Sequence, residues 1–247
     1  MVQPDVAVVV PARNVAGRID ATVRAAHDLE GVNVVVVVDD ASSDRTADIA
    51  DAAGAFVVRH DRGEGRAAAM VSGAEAVGVL EHRERRKRLR HLLFLDAGLG
   101  ATAAAAGPLV TPVRGGLADM TIGVVPAAGD AAADGLLARL AREGINRATG
   151  WTATRPLATQ RCLTRAAFDA ARPLASGFGV ETALTIDLLR QNFRATEVEV
   201  PFGDRTAATD VRTRLRRARQ FTDVMRALAF REVTPTTARR LGSRSSR

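Results

Sequence analysis

Tyrosine is absent from the chain, tryptophan occurs once, and aromatic residues together make up 4% of it. Stacking platforms of the kind that hold single-stranded nucleic acid are therefore scarce, and no nucleic-acid partner is expected. Cysteine is as rare. Cys162 stands alone, which excludes a disulfide framework and a thiolate metal cluster. The four histidines, His27, His60, His82 and His91, never fall at a zinc-ligand spacing. Long hydrophobic runs are missing too: Val34 to Val38 is typical, far short of the roughly 20 apolar residues that span a bilayer. The opening Met1-Val2-Gln3-Pro4-Asp5 has no basic region and leads straight into a strand pattern, so no signal peptide and a cytoplasmic setting are expected. Lysine is the last scarcity. Lys87 is the only one, so the net charge of +7 rests on arginine. Arginine suits planar, bidentate recognition of phosphate and carboxylate, although an Ala/Arg/Val-rich chain is also what a biased base composition yields.

What is present is ample for a core. The 247 residues are 47% hydrophobic, which excludes a disordered polar chain. Val6 to Val10 reads as a strand ending at Pro11, and Gly17 to Leu29 as a helix with Ile19, Val23 and Ala26 on its apolar face. Val32 to Val38 is a second strand, followed by a helix start at Ser42-Ser43-Asp44 and a helix from Thr46 to Ala53. Ala55 to Val58, a turn at Gly63-Glu64-Gly65, a helix from Arg66 to Leu80 and a strand from His91 to Leu95 complete the first half. Strands that are apolar nearly throughout and alternate with amphipathic helices imply a parallel sheet covered on both faces.

In such sheets ligands collect at the carboxyl ends of the strands. Polar residues of this half gather there: Arg13-Asn14, Asp39-Asp40, Arg62 to Arg66, and Asp96. Asp and Asn also end strands and cap helices without further function, but four consecutive polar ends point to a site. The basic run Glu81 to Arg90 reads as a solvated helix end. Beyond it, 129–135 reads as a loop, and Gly135 to Thr149, Phe168 to Leu174 and Gly179 to Arg190 as helices. Ala195 to Pro201 reads as a strand, Arg212 to Arg231 as a basic amphipathic helix, and Gly242 to Arg247 as a disordered tail. The glycine cradle of a dinucleotide-binding domain and the Walker A loop are both missing, which disfavours dehydrogenase and P-loop readings.

The segments Val6-Ala7-Val8-Val9-Val10-Pro11-Ala12-Arg13-Asn14 and Val37-Val38-Asp39-Asp40-Ala41-Ser42-Ser43-Asp44 resemble the opening of family 2 glycosyltransferases of the GT-A fold. Gly63-Glu64-Gly65-Arg66 is similar to that family's glycine–basic–glycine helix start, and Leu95-Asp96-Ala97-Gly98 stands where it carries its D-x-D motif. Pro156-Leu157-Ala158-Thr159-Gln160-Arg161 and Gly177-Phe178-Gly179-Val180-Glu181 resemble the acceptor half, there most like actinobacterial enzymes of the glucosyl-3-phosphoglycerate synthase type. The resemblance runs over about residues 5–230.

It implies a GT-A-like, Rossmann-like nucleotide-binding α/β fold with a mostly parallel sheet flanked by helices. Residues 1–241 are expected to form one domain: 1–100 the nucleotide half, 101–210 the acceptor half, and 211–231 a basic helix. The resemblance further implies that Pro11, Ala12, Arg13, Asn14, Asp39, Asp40, Ser42, Arg66 and Asp96 hold a nucleotide-sugar, UDP-linked by preference. Ala158, Thr159, Gln160 and Arg161 would face the acceptor, with Glu181 as the catalytic residue, an acidic side chain facing the acceptor and sugar. The acceptor is expected to be small or lipid-linked and phosphorylated, and the cofactor Mg²⁺ or Mn²⁺. A peripheral membrane contact through the helix from Arg212, and a homodimer, are left open.

The pattern is broken where the metal should bind. The second D-x-D aspartate is Gly98, which has no carboxylate for a hard cation. The late histidine of the synthase type is replaced by Asp204, the acidic residue usual after P-A-x-N is Val15, and the acceptor loop's glycine pair is Ala158-Thr159. Two expectations compete: Asp96 and Asp204 form a relocated metal site, or arginines, Arg66 above all, replace the metal's charge. A degenerate transferase kept for binding is the alternative to an active enzyme.

Overall fold

The computed structural model describes residues 4–125, 135–202, 222–229 and 231. Seven strands form one sheet in the order β3-β2-β1-β4-β6-β5-β7. They are β1 (Val6–Ala12), β2 (Val32–Asp39), β3 (Phe56–Arg59), β4 (His91–Phe94), β5 (Met120–Val124), β6 (Arg161–Leu163) and β7 (Ala195–Glu199). β1 pairs in parallel with β2 and β4, β2 with β3, and β5 with β7. β6 alone runs antiparallel, to both β4 and β5.

The valine runs form strands because β-branched side chains fit a pleated surface buried on both sides. Their alternation divides the core. Val6, Val8, Val10, Val35, Val37, Leu93 and Leu95 face one side, packed against α1 (Ala16–His27), α2 (Thr46–Ala52) and α4 (Gly107–Arg114). Ala7, Val9, Val36, Val38, Leu92 and Phe94 face the other, against α3 (Arg66–Arg83), α6 (Arg165–Ala170) and α7 (Val180–Arg190). Helix α5 (Leu136–Thr149) packs on α7, with Ala141 and Ile145 meeting Ile186 and Leu228. The chain turns from β1 to β2 and β3 on one side and reaches β4 on the other. The crevice between the carboxyl ends of β1 and β4 is thus the topological switch point, where ligands bind in open α/β sheets.

Several expectations need correction. β5 and β6 are strands the sequence did not announce, and the acceptor stretch ending at Arg161 runs directly into β6. The helix expected at Phe168 to Leu174 begins earlier, at Arg165, because the Thr164 hydroxyl accepts from Ala167 N at 3.1 Å and caps it; it ends at Ala170, ahead of the Arg172-Pro173 pair. The run Glu81 to Arg90 is not a solvated helix end throughout. Glu81 and Arg90 are buried: Arg90 N donates to Glu81 Oε1 at 2.6 Å, and Arg90 Nη2 to Glu84 Oε2 at 2.6 Å. Arg165 adds a 3.2 Å ion pair to Glu81, so the charges tie the end of α3 to the start of β4 and to α6. Of the basic helix expected from Arg212 to Arg231, only 222–229 and 231 are described, and 222–229 are helical. The loop at 129–134, Asp204, the arginines from Arg212 to Arg219 and the tail lie outside the described residues. No described helix is long and apolar enough to cross a membrane.

Helix α3 lies close to the sheet at one glycine. A Cβ on Gly73 would stand 2.3 Å from Val9 Cγ1 and 3.2 Å from Val38 Cγ2, both fully buried. Gly73→Leu is therefore expected to destabilise the protein by about 1–3 kcal/mol through overpacking. Gly17→Ala, where no atom lies within 4 Å of the new Cβ, should instead stabilise α1 by about 0.5–1 kcal/mol. Urea midpoints of the two variants would move in opposite directions.

Candidate active site

The loops after β1 and β2 are built as one unit. Ser42 Oγ accepts from Asn14 N at 2.9 Å and donates to the Asp39 carboxylate, while Asn14 Oδ1 accepts from Ser43 N at 2.8 Å. Helix α1 has no side-chain cap of its own. Its first N–H groups are met across the gap, Val15 N by Thr46 Oγ1 at 2.8 Å and Ala16 N by Asp44 Oδ2 at 3.2 Å. Asn14, Asp39 and Ser42 hold the loops together, and none of them lines the cavity described below.

Asp40, the next residue, shapes the third loop. Its carboxylate accepts from Glu64 N at 2.7 Å, Gly65 N at 3.0 Å and the His60 ring at 3.0 Å. Burial by itself would raise the pKa of this carboxyl. The hydrogen bond from His60 and those from the two N–H groups outweigh it and hold the pKa below the usual 3.8. Gly65, with φ of 88° and ψ of 175°, occupies backbone space open only to glycine, and it launches α3 with Arg66 as its first residue.

Arg66 is the centre of the site. Its Nε donates to Glu181 Oε1 at 2.6 Å, Nη1 to Asp96 Oδ1 at 3.0 Å, and Nη2 to the Thr159 carbonyl at 2.8 Å. Burial opposes its charge, but Glu181 and then Asp96 more than compensate, so its pKa lies above the ordinary value and it stays a guanidinium. Asp96 Oδ2 also accepts from Thr159 Oγ1 at 2.9 Å. One side chain thus joins the end of β4, the loop before β6 and the first turn of α7.

These residues border a cavity of about 750 Å³ at the switch point. Of the residues the sequence singled out, Pro11, Ala12, Arg13, Asp40, Arg66, Asp96, Thr159 and Glu181 line it. Ala158, Gln160 and Arg161 do not. Arg161 is buried beneath the loop before β6, donating to the Ala158 carbonyl at 3.0 Å and to Thr185 Oγ1 at 2.8 Å, and burial pushes its pKa down to about 10. Sequence reasoning missed Arg18 and Leu137 among the lining residues, and His60, which bonds Asp40. His60 had a signal, since it directly follows the third strand as Asp40 directly follows the second. Arg18 had one in its place on the first turn of α1, matching Arg66 on the first turn of α3.

Residues 7–170 match the family model for glycosyl transferase family 2. The chain belongs to that family. Solved structures carry the likeness across the rest of the fold. Glucosyl-3-phosphoglycerate synthase from Mycobacterium tuberculosis with Mn²⁺, UDP and phosphoglyceric acid superposes with a TM-score of 0.74 at 21% identity, covering 94% of this chain and 80% of that one. The same enzyme with Mg²⁺ and UDP gives 0.73 at 22%, covering 94% and 80%. With Mn²⁺, UDP-glucose and phosphoglyceric acid it gives 0.74 at 22%, covering 94% and 81%. At this identity the likeness establishes the GT-A fold. No curated protein sequence matches the chain significantly.

Those synthase complexes hold Mn²⁺ or Mg²⁺. In this transferase Asp96 and Glu181 are both bonded to Arg66, and Gly98 has no side chain to offer. Asp204 lies outside the described residues, and among those described no three His, Cys, Asp or Glu side chains are grouped to hold a metal. Mg²⁺ is usually held by one or two carboxylates beside water and substrate phosphates; with Asp96 and Glu181 committed to Arg66 and no carboxylate at Gly98, the described residues by themselves do not fit one.

Asp40 gives the site a pH signature. A carboxylate whose pKa is depressed on folding contributes stability that is fully present above the unfolded value, near 3.8, and is lost as pH falls through the folded one. Asp40→Asn should cost about 1–3 kcal/mol at pH 7. The gap between wild type and variant should close as the pH is lowered below about 4, which urea titrations at pH 7, 5 and 3 would follow.

Proposed function

We propose that this family 2 glycosyltransferase moves a sugar from a UDP-sugar to a small phosphorylated acceptor of the phosphoglycerate kind. The observation that carries the proposal is the Arg66 junction. A single guanidinium spans Asp96, at the donor end of the crevice, and Glu181 with Thr159, in the half that resembles the acceptor region. Support for the substrates comes from the synthase structures of the same fold, which hold UDP or UDP-glucose together with phosphoglyceric acid.

In this reading the base lies between Pro11, Ala12 and Arg13 and the Asp40 turn, where a carboxylate keeps spare acceptor capacity beside its three bonds. The diphosphate lies toward Arg66 and the segment Asp96 to Leu99. Transfer forms a bond from an acceptor oxygen to the anomeric carbon as the bond from that carbon to the β-phosphate oxygen breaks. UDP departs with the electron pair, and the acceptor hydroxyl gives up its proton to the departing β-phosphate oxygen. Negative charge grows on the diphosphate during this step. A guanidinium fixed beforehand in a partly buried cleft stabilises it without reorganising. Glu181, held by Arg66, accepts a hydrogen bond from the sugar or the acceptor hydroxyl and orients it.

Calorimetric titration with UDP, GDP and UDP-glucose, followed by sugar release from UDP-glucose with 3-phosphoglycerate, tests the reading. Binding of UDP in preference to GDP, and turnover that Glu181→Gln lowers by about 100-fold or more, is the expected result. Absence of binding to every nucleotide would overturn it. Binding without turnover under any acceptor would leave a nucleotide-sugar-binding protein, the state that Gly98 makes reachable by removing a carboxylate.

A further inference from the structure

Arg18 is an exposed residue of the first turn of α1, yet it lines the same cavity as Arg66 and Asp96. Its Nη1 donates to the carbonyl of Gly98 at 3.1 Å. That is the one hydrogen bond of its side chain among the described residues, and no carboxylate there lies within ion-pair distance of it. The contrast with its neighbours is chemical. Arg66 is neutralised by Asp96 and Glu181, and Arg13 stands 3.8 Å from Asp40. Arg18 is a guanidinium anchored by backbone, with donors to spare and no counter-charge among the described residues, facing a cleft.

The place of its anchor matters. Gly98 is where the family's D-x-D motif would put a carboxylate, and Val15, one turn before Arg18, is where the family's loop would put another. Here the first is a glycine whose added Cβ would meet nothing within 4 Å, and the second is a valine lining the cavity. Two negative side chains are absent from one corner of the cleft, and a positive one points into it. An anion is what such a corner attracts, and the paired oxygens of a diphosphate match the fork of a guanidinium.

We propose that Arg18 binds the diphosphate of the nucleotide donor, and that with Arg66 it supplies the positive charge for that group, so that donor binding does not require a divalent cation. The inference rests on the nucleotide-sugar reading above and specifies how that site handles charge. It also gives Gly98 a role: a glycine leaves open the space beside Arg18 that an aspartate would fill with opposing charge.

The test is calorimetry on the full chain with UDP and with uridine, each in Mn²⁺ and in EDTA, for wild type, Arg18→Gln and Gly98→Asp. Arg18 is exposed, and far-UV circular dichroism would verify that its variant is folded. UDP affinity of the wild type should be the same within about threefold in EDTA and in Mn²⁺. Arg18→Gln should weaken UDP by about 10- to 100-fold, the range of a charged hydrogen bond, and leave uridine unchanged. Gly98→Asp should weaken UDP in EDTA and make its binding respond to Mn²⁺. Loss of wild-type UDP binding in EDTA, or an Arg18→Gln variant that binds UDP as the wild type does, would overturn this inference while leaving the nucleotide site standing. Failure of UDP and uridine alike to bind the wild type would overturn both.

Discussion

A guanidinium in a partly buried cleft must find acceptors for its donors or forfeit their hydration, and Arg66 meets that demand by drawing three separate segments together. Asp96 follows β4, Thr159 precedes β6, and Glu181 opens α7. Their convergence depends in turn on where α3 begins. Asp40 receives the N–H groups of Glu64 and Gly65, the glycine turns through its positive φ, and Arg66 emerges at the head of the helix. The position of the central charge is therefore traceable to a carboxylate on a different loop, 25 residues earlier than the glycine it holds. Because the charges are satisfied by one another, the site is preorganised: its dipoles and ions are already oriented before a substrate enters.

The site also separates two kinds of polar residue. Asn14, Asp39, Ser42, Asp44 and Thr46 spend their hydrogen bonds on each other and on the first turns of α1 and α2. They set the rim without entering the cavity. Pro11, Ala12, Arg13, Arg18, Asp40 and Arg66 form the wall that a ligand would meet. The family's motif therefore mixes scaffold and surface, and residues adjacent in the chain, such as Asp39 and Asp40, do different work because successive side chains at a strand end point in different directions. The same geometry leaves Arg18 facing the space beside Gly98.

The nucleotide half was readable nearly element by element. Its strands are valine-rich and buried on both faces, its helices carry an apolar stripe, and its loops are marked by proline, glycine and aspartate at their ends. Each of those signals is carried by neighbours in the chain. The half beyond residue 100 was less legible. β6 has three residues, one of them an arginine, and no pattern of period two can declare itself over so short a stretch. Arg161 looked like a residue for an anionic acceptor. It is instead buried, because Thr185 and the Ala158 carbonyl supply the acceptors that make burial of a guanidinium tolerable. The run from Glu81 to Arg90 misled for the same reason: its charges are paired with each other and with Arg165, and pairing lets them enter the interior.

Local chemistry pointed in advance to an α/β sheet and to a site at the carboxyl ends of its strands, and the order of the family's motifs implied that Asp40, Arg66, Asp96 and Glu181 belong to one constellation. Those statements need only periodicity, end residues and the order of motifs. Which of the polar residues face the cavity, which ones brace it, and how the charges pair were decided by tertiary structure alone. The bond from Arg66 to Glu181 joins residues 115 apart, that from Arg66 to the Thr159 carbonyl 93, and that from Arg18 to the Gly98 carbonyl 80. Contacts at such separations exist only once the sheet has brought the strand ends side by side, and no pattern within a helix or strand encodes them.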